Sequence, residues 1–75
     1  MNNELVTRVV AVAEGYLGPS AERFVLRQIT VHLNATSADF NSSQIPELAH
    51  WIELSGSLLI DKAKAQELAN KVRAL

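Results

Sequence analysis

Gly18-Pro19-Ser20-Ala21-Glu22-Arg23-Phe24-Val25-Leu26-Arg27-Gln28-Ile29-Thr30-Val31-His32-Leu33 holds the clearest periodicity in this 75-residue chain. Arg23, Arg27, Thr30 and Asn34 recur as one polar stripe. Ala21, Val25, Ile29 and Leu33 recur on the other side, flanked by Phe24 and Gln28. Polar and apolar faces repeating every three to four residues mark an amphipathic helix. Leu26 and Val31 fall towards the edges of its apolar face. Gly18-Pro19 punctuates the start, because glycine suits the position just past a helix end and proline the first turn of the next. The pattern predicts a helix over residues 19–33, with Gly18 and Pro19 as a structural turn.

Upstream, residues 3–17 read as a first helix. Asn2 or Asn3 can cap it, and Glu4 lies in its first turn, where the helix dipole favours a carboxylate. Leu5, Val9, Val12, Ala13 and Tyr16 keep helical spacing, and Val6, Val10 and Leu17 widen the apolar stripe. Downstream, residues 34–44 are rich in Asn, Ser and Thr and read as a loop, pinned to the core by Phe40. Ile45-Pro46 opens a third helix over 46–54, with Ser43 or Gln44 near its cap and Ile45, Leu48 and Ile52 on one face. Trp51 lies beside that face, and Gly56 ends the element. Ser57 to Ile60 is a joint whose apolar residues have to be covered. Asp61 caps or begins a last helix over 61–74, with Ala65, Leu68, Ala69, Val72 and Leu75 inward. Four amphipathic segments with short joints predict an all-α fold, a compact bundle of about four short helices in a single domain of residues 1–75. The chain is compatible with a piece cut from a longer protein.

Composition narrows the function classes. The chain is 48% hydrophobic and 20% charged, the balance of an ordinary globular domain. A net charge of −1 lacks the dense positive face that phosphate neutralisation needs, so nucleic acid is not an expected partner. No cysteine is present, which removes thiol chemistry and Cys-ligated zinc and agrees with a reducing, cytoplasmic setting. Met1-Asn2-Asn3-Glu4 has no basic region ahead of an apolar run, and no stretch reaches membrane-spanning length. Without a secretory signal, the glycosylation-type triplets Asn34-Ala35-Thr36 and Asn41-Ser42-Ser43 are read as chance matches.

Chemistry-bearing residues are sparse. His32 and Gln28 fall on the apolar face of the second helix, where a partly buried, hydrogen-bonded core histidine is the plain reading and a ligand or pH sensor the sharper one. His50 reads as a surface residue. Ser20 follows Gly18-Pro19 but has no base nearby in sequence and no strand-to-helix elbow, so it is read as capping backbone N–H groups. The carboxylates are scattered singly. The chain is therefore expected not to be an enzyme, and no cofactor or metal is implied. What remains is surplus apolar surface. Leu26, Val31, Trp51 and Leu54, together with Leu58-Leu59, are hard to cover in so small a bundle, and uncovered apolar residues suit a protein partner or self-association.

Tyr16-Leu17-Gly18-Pro19-Ser20-Ala21, followed by Phe24-Val25 and Ile29, resembles a helical accessory module appended to bacterial serine/threonine kinases and other signalling proteins. In that module a Tyr/Phe-Ile-Gly-Pro-x-Ala turn joins two helices. A later Leu-Ala-x-x-Ile is matched by Leu48-Ala49-His50-Trp51-Ile52. The long polar loop around Ser37 to Ser43 departs from the pattern. The resemblance implies a non-catalytic interaction or dimerisation domain of a bacterial regulatory protein, with no catalytic residues to carry over. Two other readings stand beside it: a small-molecule-binding sensory bundle with a pocket around His32 and Gln28, and, more weakly, a DNA-binding domain using Arg23, Arg27, Lys62 and Lys64.

Overall fold

The computed structural model describes residues 3–75, and those residues are all-helical with no strand. In chain order the α-helices are α1 (Glu4–Leu17), α2 (Ala21–Arg27), α3 (Ile45–Gly56) and α4 (Lys62–Arg73). α1, α3 and α4 are the long, regular ones. The expectation of about four short helices is corrected to three regular ones, because the second segment is broken. Residues 19–33 do not form one α-helix but a 3₁₀ turn (Gly18–Ser20), the seven-residue α2 and a π turn (Gln28–His32).

Local chemistry explains the break. The Thr30 hydroxyl donates to the Leu26 carbonyl at 3.0 Å and to the Arg27 carbonyl at 3.4 Å, competing for acceptors that a regular helix reserves for amides. Three β-branched residues in a row, Ile29, Thr30 and Val31, further lower helix propensity. The widened turn ends at Asn34, the one non-glycine residue at positive φ (52°) among the described residues. There the Ala35 N–H bonds back to the Ile29 carbonyl at 3.2 Å.

Each of the other starts has an identifiable cap. Asn2 lies outside the described residues; Asn3 caps α1, its Oδ1 accepting from the Leu5 N–H at 2.9 Å. The same side chain donates from Nδ2 to the Phe40 carbonyl, tying the polar loop to the start of α1. Phe40 itself is buried. Gln44 stands at the N-cap position of α3, as expected, but the side-chain capping is one turn earlier, where Asn41 accepts from the Ser43 N–H at 3.0 Å and Gln44 Oε1 accepts from the Asn41 N–H at 3.1 Å. This capping box satisfies orphan donors from both sides of the 3₁₀ turn Ser42–Gln44. Asp61 caps α4 through the Lys64 N–H at 2.9 Å.

α3 and α4 pack against each other as the principal pair, α1 lies on α2 and α4, and the π turn leans on α3. Ile29, Leu48, Ile52, Leu68, Val9, Val25 and Val72 fill the centre with essentially no exposure. The wide stripe of α1 is largely absorbed: Val6, Val9 and Ala13 are buried, and Leu5, Val10, Val12, Tyr16 and Leu17 pack around the core edge. Across α1 and α4, the Tyr16 hydroxyl donates to Glu67 at 2.9 Å and Lys71 lies over the Tyr16 ring. Contact with Tyr16, foremost, and then the charge of Glu67 hold the Lys71 pKa above the ordinary lysine value. Leu75, expected to face inward, is 43% exposed, because α4 stops at Arg73 and imposes no face beyond it. No helix among the described residues is long and apolar enough to cross a membrane.

Candidate functional site

Among the described residues, three of the five large apolar side chains left exposed, Leu54, Leu58 and Leu59, fall at the C-terminal end of α3 and just past it. Ile45, Leu48 and Ile52 take its buried side. Trp51, Leu54 and Ser55 follow at intervals of three and four, which places them together on another side of the helix, and Leu58 comes just past its end. At Gly56 the helix closes, and its carbonyl accepts from both the Leu59 and the Ile60 N–H at 2.9 Å. This tight knuckle projects Leu58 and Leu59 outward. Of the two expectations for this pair, cover by the core or surplus apolar surface, the second holds: Leu58 is 85% and Leu59 62% exposed. The joint is too short and too tightly hydrogen-bonded to fold them back over the core.

Between this knuckle and α2 runs an open groove of about 290 Å³, walled by Phe24, Arg27, His32, Leu58 and Leu59. Its floor is Gln28 with Ser55. Gln28 is 3% exposed; its Oε1 accepts from the Ser55 hydroxyl at 2.9 Å, and its Nε2 donates to the Phe24 carbonyl at 3.3 Å. A buried amide satisfied on both ends is a structural tie between the second segment and α3. His32 is partly buried, as expected, but what holds it is a ring contact and not a hydrogen bond. It stacks flat on Trp51, with ring centroids 3.9 Å apart and planes 8° apart. His50 is exposed and meets the same indole edge-on at 5.6 Å. Trp51 is thus held in a defined orientation between two imidazoles.

The structure brings some of the candidate partner residues together and separates another. Trp51 and Leu54 share the α3 side described above, with Leu54 48% exposed. Val31, 62% exposed, precedes the stacked His32 in the π turn. Leu26 lies elsewhere, half-buried where α2 meets α1, facing Val6 and Val10 across a separate groove. Leu58 and Leu59 stand with Trp51 and Leu54 as surplus apolar residues in the sequence, in the run Ser57-Leu58-Leu59-Ile60, which fits no helical period; what the sequence does not show is that Arg27 lies beside them. Gly18 takes φ 64° and ψ −142°, its N–H donating to the Glu14 carbonyl, and Pro19 follows in the 3₁₀ corner. Ser20 does not cap N–H groups: its hydroxyl donates to the Leu17 carbonyl at 2.9 Å. Among the described residues no three His, Asp or Glu side chains converge in a way that could hold a metal ion.

No protein-family model matches the chain, and neither a curated protein nor a solved structure matches it.

Proposed function

We propose that the chain is a non-catalytic protein-interaction domain whose contact surface is the C-terminal end of α3 with the Leu58–Leu59 knuckle. One observation carries the reading. In a chain that packs even the wide stripe of α1 against its core, two adjacent leucines stand 85% and 62% exposed, and Leu54 four residues earlier is 48% exposed. Full burial of a leucine is worth roughly 1.5–3 kcal/mol, so leaving these out forgoes stability that a partner can return. The flat His32–Trp51 stack adds a rigid aromatic anchor of the kind that dominates binding energy in interfaces. The likeness of the Gly18-Pro19 turn to the bacterial accessory module supports placement in a regulatory protein.

Site-specific photo-cross-linking in the native host tests the surface. A benzophenone side chain introduced at position 58 is expected to yield a discrete adduct with another protein or a second copy. The same group at position 8, on the polar side of α1, is expected to yield none. Equal labelling from both positions, or none from either, defeats the proposal. A small molecule that raises the melting temperature, with the rise lost in His32→Ala, would favour the sensory reading instead.

A further inference from the structure

Charge defines what the proposed surface takes. The groove wall nearest the leucines carries Arg27 and no acidic residue. Arg27 and Arg23, four residues back on α2, are exposed and line a second groove along the outer face of α2 past Leu26, where Glu22 is the one acid against the two arginines. Among the described residues neither arginine has a carboxylate partner, whereas Arg8, Lys71 and Arg73 pair with Glu4, Glu67 and Glu53. An arginine that is exposed, unpaired and adjacent to uncovered leucines is a donor set for carboxylates, which its planar fork binds bidentately.

We infer, resting on the interaction reading above, that this face docks an acidic amphipathic helix of another protein. Its apolar residues would sit on Leu54, Leu58 and Leu59, and two carboxylates one turn apart would meet Arg27 and Arg23, which are themselves one turn apart. A second copy of this chain fits less well. A twofold interface sets each surface against itself, so one Glu22 per copy would have to serve both Arg23 and Arg27, and the groove at Leu58 and Leu59 offers no acid at all. Duplex DNA fits less well too, because phosphate contacts make no use of exposed leucines and the chain as a whole carries −1.

Fluorescence anisotropy of the full chain against three fluorescein-labelled 16-residue model helices tests this. The first alternates Leu and Glu at helical spacing, the second replaces every Glu by Lys, and the third replaces every Leu by Ser. The Leu/Glu helix is expected to bind at least tenfold more tightly than either of the others, and more weakly as salt rises. Arg27→Glu is expected to cost tenfold or more of that affinity, with Arg27→Gln intermediate. Both variants should keep the wild-type far-UV spectrum, because position 27 is exposed. Equal binding of the lysine helix, no binding of any helix, or displacement by duplex DNA overturns the inference. So does a cross-linked partner segment without Asp or Glu, and in that case the interaction reading survives and only the acidic partner is lost.

Discussion

Gly18 and Gly56 look alike in sequence, each near the end of a helix, yet they answer to opposite constraints. At φ 64° and ψ −142° Gly18 occupies backbone space that side chains enter only with strain. Gly18→Ala is expected to destabilise the domain by about 1–3 kcal/mol through backbone strain alone, since nothing stands within 4 Å of the added methyl group. Gly56 has no such backbone. A methyl group there would make ordinary contacts, 3.6 Å to the Ala65 Cβ and 3.9 Å to the Phe24 ring. Gly56→Ala is expected to stabilise by about 0.5–1 kcal/mol, because alanine costs less backbone entropy in a helix. Thermal melts of the two variants should move in opposite directions, by about 4–8 °C per kcal/mol in a domain this size. Matching shifts would show that the corner after α1 is not under the constraint described.

The second helical segment shows how far a periodic pattern can be trusted. Its apolar stripe was legible, and Ala21, Val25 and Ile29 are fully buried. Its regularity was not, because period counting does not register a threonine hydroxyl competing for carbonyls, nor the tie that Ser55 makes to Gln28 from 27 residues away. The π turn widens the helix where His32 has to reach Trp51, and such turns recur at functional positions. His32→Ala is expected to uncover one face of Trp51, the only tryptophan in the chain. Its emission should move to longer wavelength, and stability should fall by about 0.5–1.5 kcal/mol for the lost aromatic pair. An unchanged spectrum would mean that the two rings do not stack in solution.

For the molecule as a whole, the contrast lies between leucines of the same chemistry in different places. Leu48 has no exposure and Leu58 has 85%. Leu48→Ala should cost about 2–5 kcal/mol, enough to unfold most of a domain whose total stability is of the order of 5 kcal/mol. Leu58→Ser should change the melting midpoint by no more than about 0.5 kcal/mol is worth, while removing the adduct formed from this end of α3. That adduct is read with the benzophenone moved to position 59. Calorimetry on both variants separates the roles, and a large loss in Leu58→Ser would mean that the knuckle belongs to the core.

All-helical architecture, the corner at Gly18-Pro19, the cap at Asp61 and the burial of Phe40 were all readable in the residues, because each follows from local periodicity or from backbone chemistry within a few positions. The candidate surface was only partly readable. Trp51 and Leu54 stood out as surplus apolar residues, but so did Leu26, which the packing of α1 on α2 half covers. Whether an apolar residue is surplus depends on which helices meet over it. That is a property of non-local contacts, and it was settled by the tight closure at Gly56, which leaves Leu58 and Leu59 outside the core beside an unpaired Arg27.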